Sequence, residues 1–161
     1  DTRITQIYEG TNGIQAMDLM GRKIVGNGGK LFEIFAKEVS DFIESESENA
    51  ALSGMLQQLA AALSRLSDAT EAVIAASQND ADAVGAAAVE YLDLFGLTAY
   101  GYMWAKMVKV AAPKAEQDIL YANKIETAKF FFSRLLPKTV SLLECIKSGS
   151  ADMMELEAEN F

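Results

Sequence analysis

The chain has 161 residues, half of them hydrophobic, a formal net charge of −9 and no histidine. This length and apolar content suffice for one core, and a composition with only two prolines and no strand-like alternation predicts an all-α fold. The acidic balance disfavours nucleic-acid and anionic-membrane surfaces, which need clustered lysine and arginine, and the absence of histidine excludes Ser-His catalysis and His-based metal sites.

The chain opens on a polar strip of extended character, residues 1–8, that leads into Glu9, Gly10 and Thr11 at the start of a predicted helix. Backbone amides at a helix start are unpaired and positively polarised, and Gly10 lets another molecule approach closely, so the place suits an anionic or electron-rich ligand. The competing interpretation makes Glu9 a first-turn acid that favours the helix dipole. Because the first residue is Asp1 and not Met, we predict that the chain continues a longer protein.

The first predicted helix starts near Asn12, where the Thr11 hydroxyl is placed to cap it. Residues 26–29, Gly-Asn-Gly-Gly, are predicted to end this helix and act as a linker. A phosphate-binding loop is the weaker interpretation, because a P-loop needs a preceding buried strand and a Gly-Lys-Ser/Thr ending. The predicted apolar face of the helix is formed by Ile14, Met17, Gly21 and Ile24.

The second predicted helix runs from about residue 30 to 46, and the third from about 50 to 78. The third shows alternating steps of four and three residues, which is typical of antiparallel bundle packing. Between them lies an acidic run that we expect to be solvated. The apolar stripe of the second helix is Leu31, Phe35, Val39 and Phe42, the acidic run is Glu44, Glu46 and Glu48, and the seam of the third helix is Leu52, Leu56, Leu59, Leu63, Leu66, Thr70 and Val73.

The fourth predicted helix runs from about residue 81 to 111 and is ended by Pro113, with Asp80 as its candidate cap. It is apolar on nearly every side, which predicts a central helix or one that covers a second surface. Its aromatic residues are predicted to be core or interface and not an acyl-chain pocket. The seam is Val84, Ala88, Tyr91, Phe95, Thr98, Tyr102 and Ala105, and the aromatic group is Tyr91, Phe95, Tyr100, Tyr102 and Trp104.

The fifth predicted helix runs from about residue 115 to 147, with a kink at Pro137 and an end at Gly149. Cys145 lies within its apolar pattern and is predicted to be a core residue in a reducing compartment. An acidic tail follows. The seam of this helix is Tyr121, Ile125, Ala128, Phe132, Leu135, Thr139, Leu142 and Ile146. Together the pattern predicts an up-down bundle of three to four long helices, preceded by a short extended strip and one helix.

Residues 4–15, Ile-Thr-Gln-Ile-Tyr-Glu-Gly-Thr-Asn-Gly-Ile-Gln, resemble the end of the catalytic core of the acyl-CoA dehydrogenases. Residues 16–24 resemble the larger members of that family, which continue into an additional helical region and include relatives acting on 3-methylmercaptopropionyl-CoA. The resemblance implies four parts: the end of the catalytic core at 1–25, the linker at 26–29, a C-terminal helical bundle at 30–148 and the acidic tail at 149–161.

The same resemblance implies a flavin-dependent enzyme that introduces an α,β double bond into an acyl-CoA thioester. Glu9 is then the general base that removes the α-proton while N5 of FAD accepts the β-hydride. Tyr8 and Gly10 are expected to contact the substrate. The residues expected to lie against FAD are Thr11, Asn12 and Gly13.

The partners that the resemblance implies are an acyl-CoA substrate, the N-terminal catalytic core, further copies in a homo-oligomer and an electron-transfer flavoprotein as acceptor. Two alternatives stay open, a helical interaction or oligomerisation module without its own chemistry and part of an acyl-CoA oxidase. We expect the 161 residues alone to be colourless and inactive. No apolar run approaches the ~20 residues that span a bilayer and no signal peptide opens the chain, so a soluble, cytoplasmic protein is expected.

Overall fold

The computed structural model describes residues 11–156 and 158–160, and every regular element in this part of the chain is helical. The predicted all-α class is therefore confirmed. The strip before Thr11 lies outside the described residues. The helices are α1 (Asn12–Met17), α2 (Lys30–Ser45), α3 (Ser53–Ala76), α4 (Ala83–Ala111), α5 (Ile119–Phe130), α6 (Thr139–Ser148) and α7 (Ala151–Met154), and a 3₁₀ turn occupies Ala158–Asn160.

Helix α1 begins at the predicted residue and runs on as a π-helical segment, Asp18–Ile24, and a 3₁₀ turn, Val25–Asn27. It ends at two successive glycines, Gly28 and Gly29, with φ of 66° and 83°. Residues other than glycine rarely adopt these left-handed conformations, so the predicted stop is confirmed. The predicted cap is wrong, because the Thr11 side chain makes no capping hydrogen bond.

The predicted apolar face of α1 is also wrong in part. Ile24 is buried as expected, but Ile14 is 69% exposed and Met17 is 47% exposed. The buried positions are Ala16, Met20 and Ile24, which lie four residues apart. The π-helical segment widens the turn, so a constant step of four keeps these side chains on the core side.

Helix α4 is the central helix, as predicted, and it packs against α1, α3, α5 and α6. The α3 seam that faces it is buried at all seven predicted positions. At one crossing, α4 presents Gly101, where an added Cβ would lie 3.4 Å from a methyl carbon of Leu59 and 3.4 Å from one of Leu136. The absence of a side chain at Gly101 therefore lets three segments approach closely.

Helix α2 lies on this bundle through Phe32 and Val39, with Phe35 and Phe42 partly buried. The prediction that Leu31 faces the core is wrong, since its neighbour Phe32 takes that place and Leu31 is half exposed.

The acidic run after α2 is only partly solvated. Glu46 is half-buried, and its carboxylate lies 2.5 Å from Nζ of Lys109 on α4. Hydrogen bonds from Lys109 and then from Asn49 hold the pKa of Glu46 below its usual value. This ion pair joins the end of α2 to the last turns of α4.

The fifth predicted helix is two helices. It starts at Ile119, where the Asp118 carboxylate accepts a hydrogen bond of 2.8 Å from the Leu120 amide, and not at residue 115. Before Pro137 the helix widens into a π-helical segment, Phe131–Leu135, and then tightens into a 3₁₀ turn, Leu136–Lys138. Proline lacks an amide hydrogen and clashes with the preceding turn, which explains the break between α5 and α6.

The prediction that Cys145 is a core residue is wrong, since this side chain is a free, exposed thiol. On α6 the buried positions are Thr139, Leu143 and Ile146, and the intervening Cys145 falls on the solvent side. Gly149 ends the helix as predicted, with a φ of 77°.

The segment after Gly149 is fixed at the turn between α3 and α4. The Ser150 hydroxyl donates a hydrogen bond of 2.5 Å to Asp80, which also accepts one of 2.9 Å from the Asp82 amide. Asp82, and not the predicted Asp80, is the N-terminal flanking residue of α4. The bond from Ser150 and then the bond from Asp82 hold the pKa of Asp80 below its usual range.

A buried hydroxyl pair joins α3 to α4 inside the core. Thr70 donates to the Leu66 carbonyl at 2.7 Å, and its oxygen lies 2.7 Å from that of the Tyr91 hydroxyl, with which it shares a second hydrogen bond. Tyr91 is fully buried. Burial raises the pKa of Tyr91 to about 12, because desolvation outweighs the hydrogen bond with Thr70, which lowers it.

The Tyr91 hydroxyl should make folding stability sensitive to alkaline pH. A phenol whose folded pKa is raised above its usual 10.0 contributes stability that is complete below pH 10.0 and is lost as the pH rises towards about 12. The loss is of the order of 3 kcal/mol, since each pKa unit corresponds to roughly 1.4 kcal/mol. Urea unfolding followed by circular dichroism should show this steep loss in the wild type and its absence in Tyr91→Phe. The exposed Tyr100→Phe should behave like the wild type.

Candidate functional site

The structure describes three of the six predicted site residues. Tyr8, Glu9 and Gly10 lie outside the described residues. Thr11 is half-buried, and Asn12 and Gly13 are exposed at the first turn of α1. The structure therefore gives the surroundings of the three residues expected to contact the cofactor.

Helix α1 holds these residues against the central helix. The side chains of Ala16, Met20 and Ile24 belong to the same buried cluster as Ala88 and Tyr91 of α4. The π-helical segment is further stabilised by Asp18, whose carboxylate pairs with Arg22 at 2.6 Å and Lys23 at 3.0 Å. The start of α1 is thus a fixed part of the bundle surface.

The described residues leave the first turn of α1 uncovered. Among them, a Cβ added at Gly13 would meet no atom within 4 Å, and the Thr11 hydroxyl is not used to cap the helix. The amides of a first turn have no partner within their own helix. These residues therefore fit contact with a polar, planar group, as the resemblance to flavoenzymes implies.

An apolar surface continues along α1 from this turn. Ile14 and Met17, three residues apart, lie on the same side of the helix and are both exposed. Large apolar side chains that are exposed together mark surfaces that bind another molecule or another part of a protein.

The surface grooves of the bundle lie elsewhere. One of about 500 Å³ separates α2 from α3 and is lined by residues such as Phe32 and Leu63. Another of about 730 Å³ separates α4 from α6 and is lined by residues such as Leu97 and Tyr100. Neither includes Thr11, Asn12 or Gly13. In the described part of the chain, no three cysteine, aspartate or glutamate residues are grouped to hold a metal ion.

A third groove, of about 370 Å³, lies between the last turns of α4 and the start of α5, and we call it the α4–α5 groove. This groove was not predicted from the sequence, although the apolar character of α4 on nearly every side was a signal for it. Its lining is largely apolar with two lysines and includes Met103, Lys106, Met107, Val110, Leu120 and Lys124.

The aromatic residues of α4 do not form an acyl-chain pocket. Tyr91 and Tyr102 are buried, and Phe95 and Trp104 pack against the core. Phe95 lies 4.7 Å from the Phe35 ring, measured between centroids. Tyr100 is 64% exposed and lies at the surface, whereas the other four aromatic residues belong to the core or pack against it. The group therefore divides between the core, as predicted, and the surface.

The family of proteins described as acetyl-CoA dehydrogenase C-terminal like matches residues 35–157, from the second turn of α2 into the segment after α7. The chain belongs to this family. The assignment agrees with the all-helical fold and with the resemblance at residues 4–15, which lie before the matched region. Among the described helices, none combines the length and apolar character that crossing a membrane requires.

Curated relatives of this family member are named as dehydrogenases. The broad-specificity linear acyl-CoA dehydrogenase FadE5 of Mycobacterium tuberculosis is 29% identical over 173 residues, which cover all of the chain and 28% of the relative. The 3-methylmercaptopropionyl-CoA dehydrogenase of Ruegeria pomeroyi is 34% identical over 143 residues, 84% of the chain and 24% of the relative. A butyryl-CoA dehydrogenase of Syntrophomonas wolfei is 23% identical over 170 residues, all of the chain and 27% of the relative. The chain thus spans about a quarter of the length of these relatives.

Proposed function

We propose that the chain is the C-terminal part of a flavin-dependent acyl-CoA dehydrogenase that introduces an α,β double bond into an acyl-CoA thioester. The observation that carries the proposal is the motif at residues 4–15, because it contains the expected base and precedes, in the same chain, a helical region that matches the family at residues 35–157. The division into the end of a catalytic core at 1–25, a linker at 26–29, a bundle at 30–148 and a tail at 149–161 is part of the proposal.

Glu9 is the proposed general base. The α-proton of a thioester is too weakly acidic for a solvated carboxylate, so the base has to be partly desolvated and held within hydrogen-bond reach of the carbon. In the proposal, Gly10 leaves room for the substrate beside the base, and Tyr8 forms part of the wall of the acyl pocket. FAD, when bound, supplies the acceptor for the β-hydride at its N5 atom.

Thr11, Asn12 and Gly13 are the proposed contacts to FAD. Their exposure on the first turn of α1 and the open space at Gly13 support this role. The buried side chains of Met20 and Ile24 support it as well, because they fix the helix that carries these residues. The exposed Ile14 and Met17 on the same helix suit contact with the N-terminal catalytic core.

The proposal predicts a sharp difference between the full-length protein and these 161 residues. The full-length protein, encoded by this segment and the coding sequence upstream of Asp1, should be yellow and should reduce an artificial electron acceptor when given an acyl-CoA. The 161 residues alone should be colourless and inactive, because most of a flavin-binding fold lies outside them. Absorption spectra and turnover assays on both proteins check this. A full-length protein without flavin would contradict the function, and a stoichiometric flavin band on the isolated chain would contradict the division into parts.

A second and compatible function is an interaction module. The observation that favours it is the α4–α5 groove, where Met103, Val110 and Leu120 are each about half exposed. Apolar side chains gathered around one groove are more typical of a binding surface than apolar residues scattered singly. Oligomerisation and an electron-transfer flavoprotein as acceptor belong to the proposal for the full-length enzyme.

A further inference from the structure

We propose that the α4–α5 groove binds the segment of residues 151–156 of a second copy of this chain, so that two copies pair reciprocally. We call this segment the tail segment. The proposal concerns the bundle itself and does not depend on the dehydrogenase function. Three observations support it: the apolar match, the charge match and the distance between the two surfaces within one chain.

The tail segment presents apolar side chains that nothing in the described structure covers. Met153 is 60% exposed, Met154 is 61% exposed and Leu156 is 52% exposed. Methionine is unbranched and polarizable, and it fills irregular apolar grooves well. The groove offers a matching apolar lining, including Met103, Met107 and Leu120.

The charges of the two surfaces are complementary, although the chain as a whole carries −9. In the described structure, the groove is lined by Lys106 and Lys124 and by no acidic residue, whereas the tail segment contains Asp152 and Glu155 and no lysine or arginine. Opposite charges at the edge of an apolar contact set its register and speed its formation.

Two of these lysines line the groove with their side chains held by aromatic rings. Lys106 lies 3.3 Å from the Tyr102 hydroxyl and 4.8 Å from the centroid of its ring, and Lys124 lies 5.7 Å from the centroid of the Trp104 ring. Within residues 11–156 and 158–160, no carboxylate forms an ion pair with either lysine. Lys106 is linked to the Glu38 carboxylate only through the Tyr102 hydroxyl, which donates to Glu38 at 2.9 Å. Both ammonium groups therefore keep hydrogens that can bond to acids of another molecule.

The tail segment cannot reach the groove of its own chain. It directly follows Ser150, which is bonded to Asp80 just before α4, whereas the groove begins at Met103 near the other end of α4. Met103 lies twenty residues after Ala83, a separation of about 30 Å along the helix. Leu156 lies six residues after Ser150, so even an extended segment covers at most about 21 Å. The occupant must therefore come from a second copy.

Reciprocal pairing of this kind needs the two copies to lie side by side with their α4 helices antiparallel. Each copy then places its turn between α3 and α4 beside the last turns of the partner's α4. A two-fold axis repeats the same contact twice, which is the common arrangement of homodimers.

The test measures self-association of the 161-residue chain by sedimentation equilibrium. The wild type should form a dimer that weakens as NaCl rises from about 0.1 M to about 1 M, because salt screens the lysine contacts. The tail variant M153S/M154S/L156S should be monomeric. The groove variant K106E/K124E should dimerise about tenfold more weakly or worse, since ion pairs are lost in both equivalent contacts. Circular dichroism should show that each variant is folded.

Mixing provides the decisive measurement. A tail variant keeps an intact groove and a groove variant keeps an intact tail segment, so the two should associate with one another more strongly than either does with itself. The matched control I34S, at an exposed isoleucine on α2, should dimerise like the wild type. A monomeric wild type, a tail variant that still dimerises, or a mixture no stronger than its components would each overturn the proposal.

Discussion

Glu9→Gln in the full-length protein should lower the turnover of acyl-CoA by about 100-fold to 10,000-fold. That is the usual contribution of a positioned general base, and glutamine keeps the size of the side chain while removing its ability to accept a proton. Flavin content and the oligomeric state should not change. Steady-state assays with an artificial electron acceptor, together with the flavin absorption spectrum, measure all three properties.

The matched control for this substitution is Glu33→Gln. Glu33 is an exposed acid in the first turn of α2, so its replacement tests the loss of a carboxylate near a helix start without touching the proposed site. It should leave turnover within about twofold of the wild type, because the side chain lies outside the proposed site. The fraction of folded enzyme should also stay the same, since surface substitutions of this kind usually change stability by less than about 0.5 kcal/mol. Full activity of the Glu9→Gln enzyme would remove the main support for the proposed mechanism.

Leu59→Ala should destabilise the bundle by about 2–5 kcal/mol. Leu59 is fully buried in α3, and an added Cβ at Gly101 would lie 3.4 Å from its methyl carbon. Removing a buried leucine loses its transfer free energy and leaves a cavity that tightly crossed helices fill only partly. The loss is a large part of the 5–15 kcal/mol that stabilises a typical domain. Urea unfolding of the 161-residue chain, followed by circular dichroism, measures the effect.

Leu31→Ala is the matched control, because it makes the same leucine-to-alanine change at a position that is not buried. Leu31 is 49% exposed on α2 and should lose less than about 1 kcal/mol, since its methyl groups are already in contact with water. Equal losses at Leu59 and Leu31 would mean that the crossing at Gly101 does not control the packing of the core.

The long helices were predictable because their apolar residues repeat with a clear period. The seam of α3 is buried at every predicted position, since a helix of twenty-four residues with leucines at steps of four and three has only one way to cover them. The central place of α4 followed from its apolar character on nearly every side. In both helices the pattern runs over enough turns to outweigh local irregularities.

The predictions from the sequence are wrong where the chain departs from a regular α-helix, or where the burial of one residue depends on the rotation of a short helix. A straight α-helix through residues 14–24 would place Ile14 and Met17 towards the core, but the buried residues are Ala16, Met20 and Ile24, and the last two lie in the π-helical segment. Pro137 predicted a kink, whereas the wide and then tight turns around it separate two helices. The exposure of Cys145 depends on the rotation of the short α6, which the apolar pattern alone does not fix.

The candidate site was predictable from a motif and not from periodicity. Only the contiguous run at residues 4–15 distinguishes Glu9 from any acid at a helix start, and Tyr8, Glu9 and Gly10 lie outside the described residues. The roles of Thr11, Asn12 and Gly13 therefore stay predictions that their exposure on α1 supports. The α4–α5 groove, in contrast, needed the structure, because α5 starts four residues later than the pattern indicated.

The crossing at Gly101 constrains how this sequence can vary. Position 101 shares a small volume with the side chains at 59 and 136, each 3.4 Å from the place where a Cβ would stand. A larger residue at 101 is therefore expected in nature only together with a smaller residue at one of the other two positions. Across homologous bundles, a larger side chain at one of these three positions should be accompanied by a smaller one at another, so that their total side-chain volume stays nearly constant.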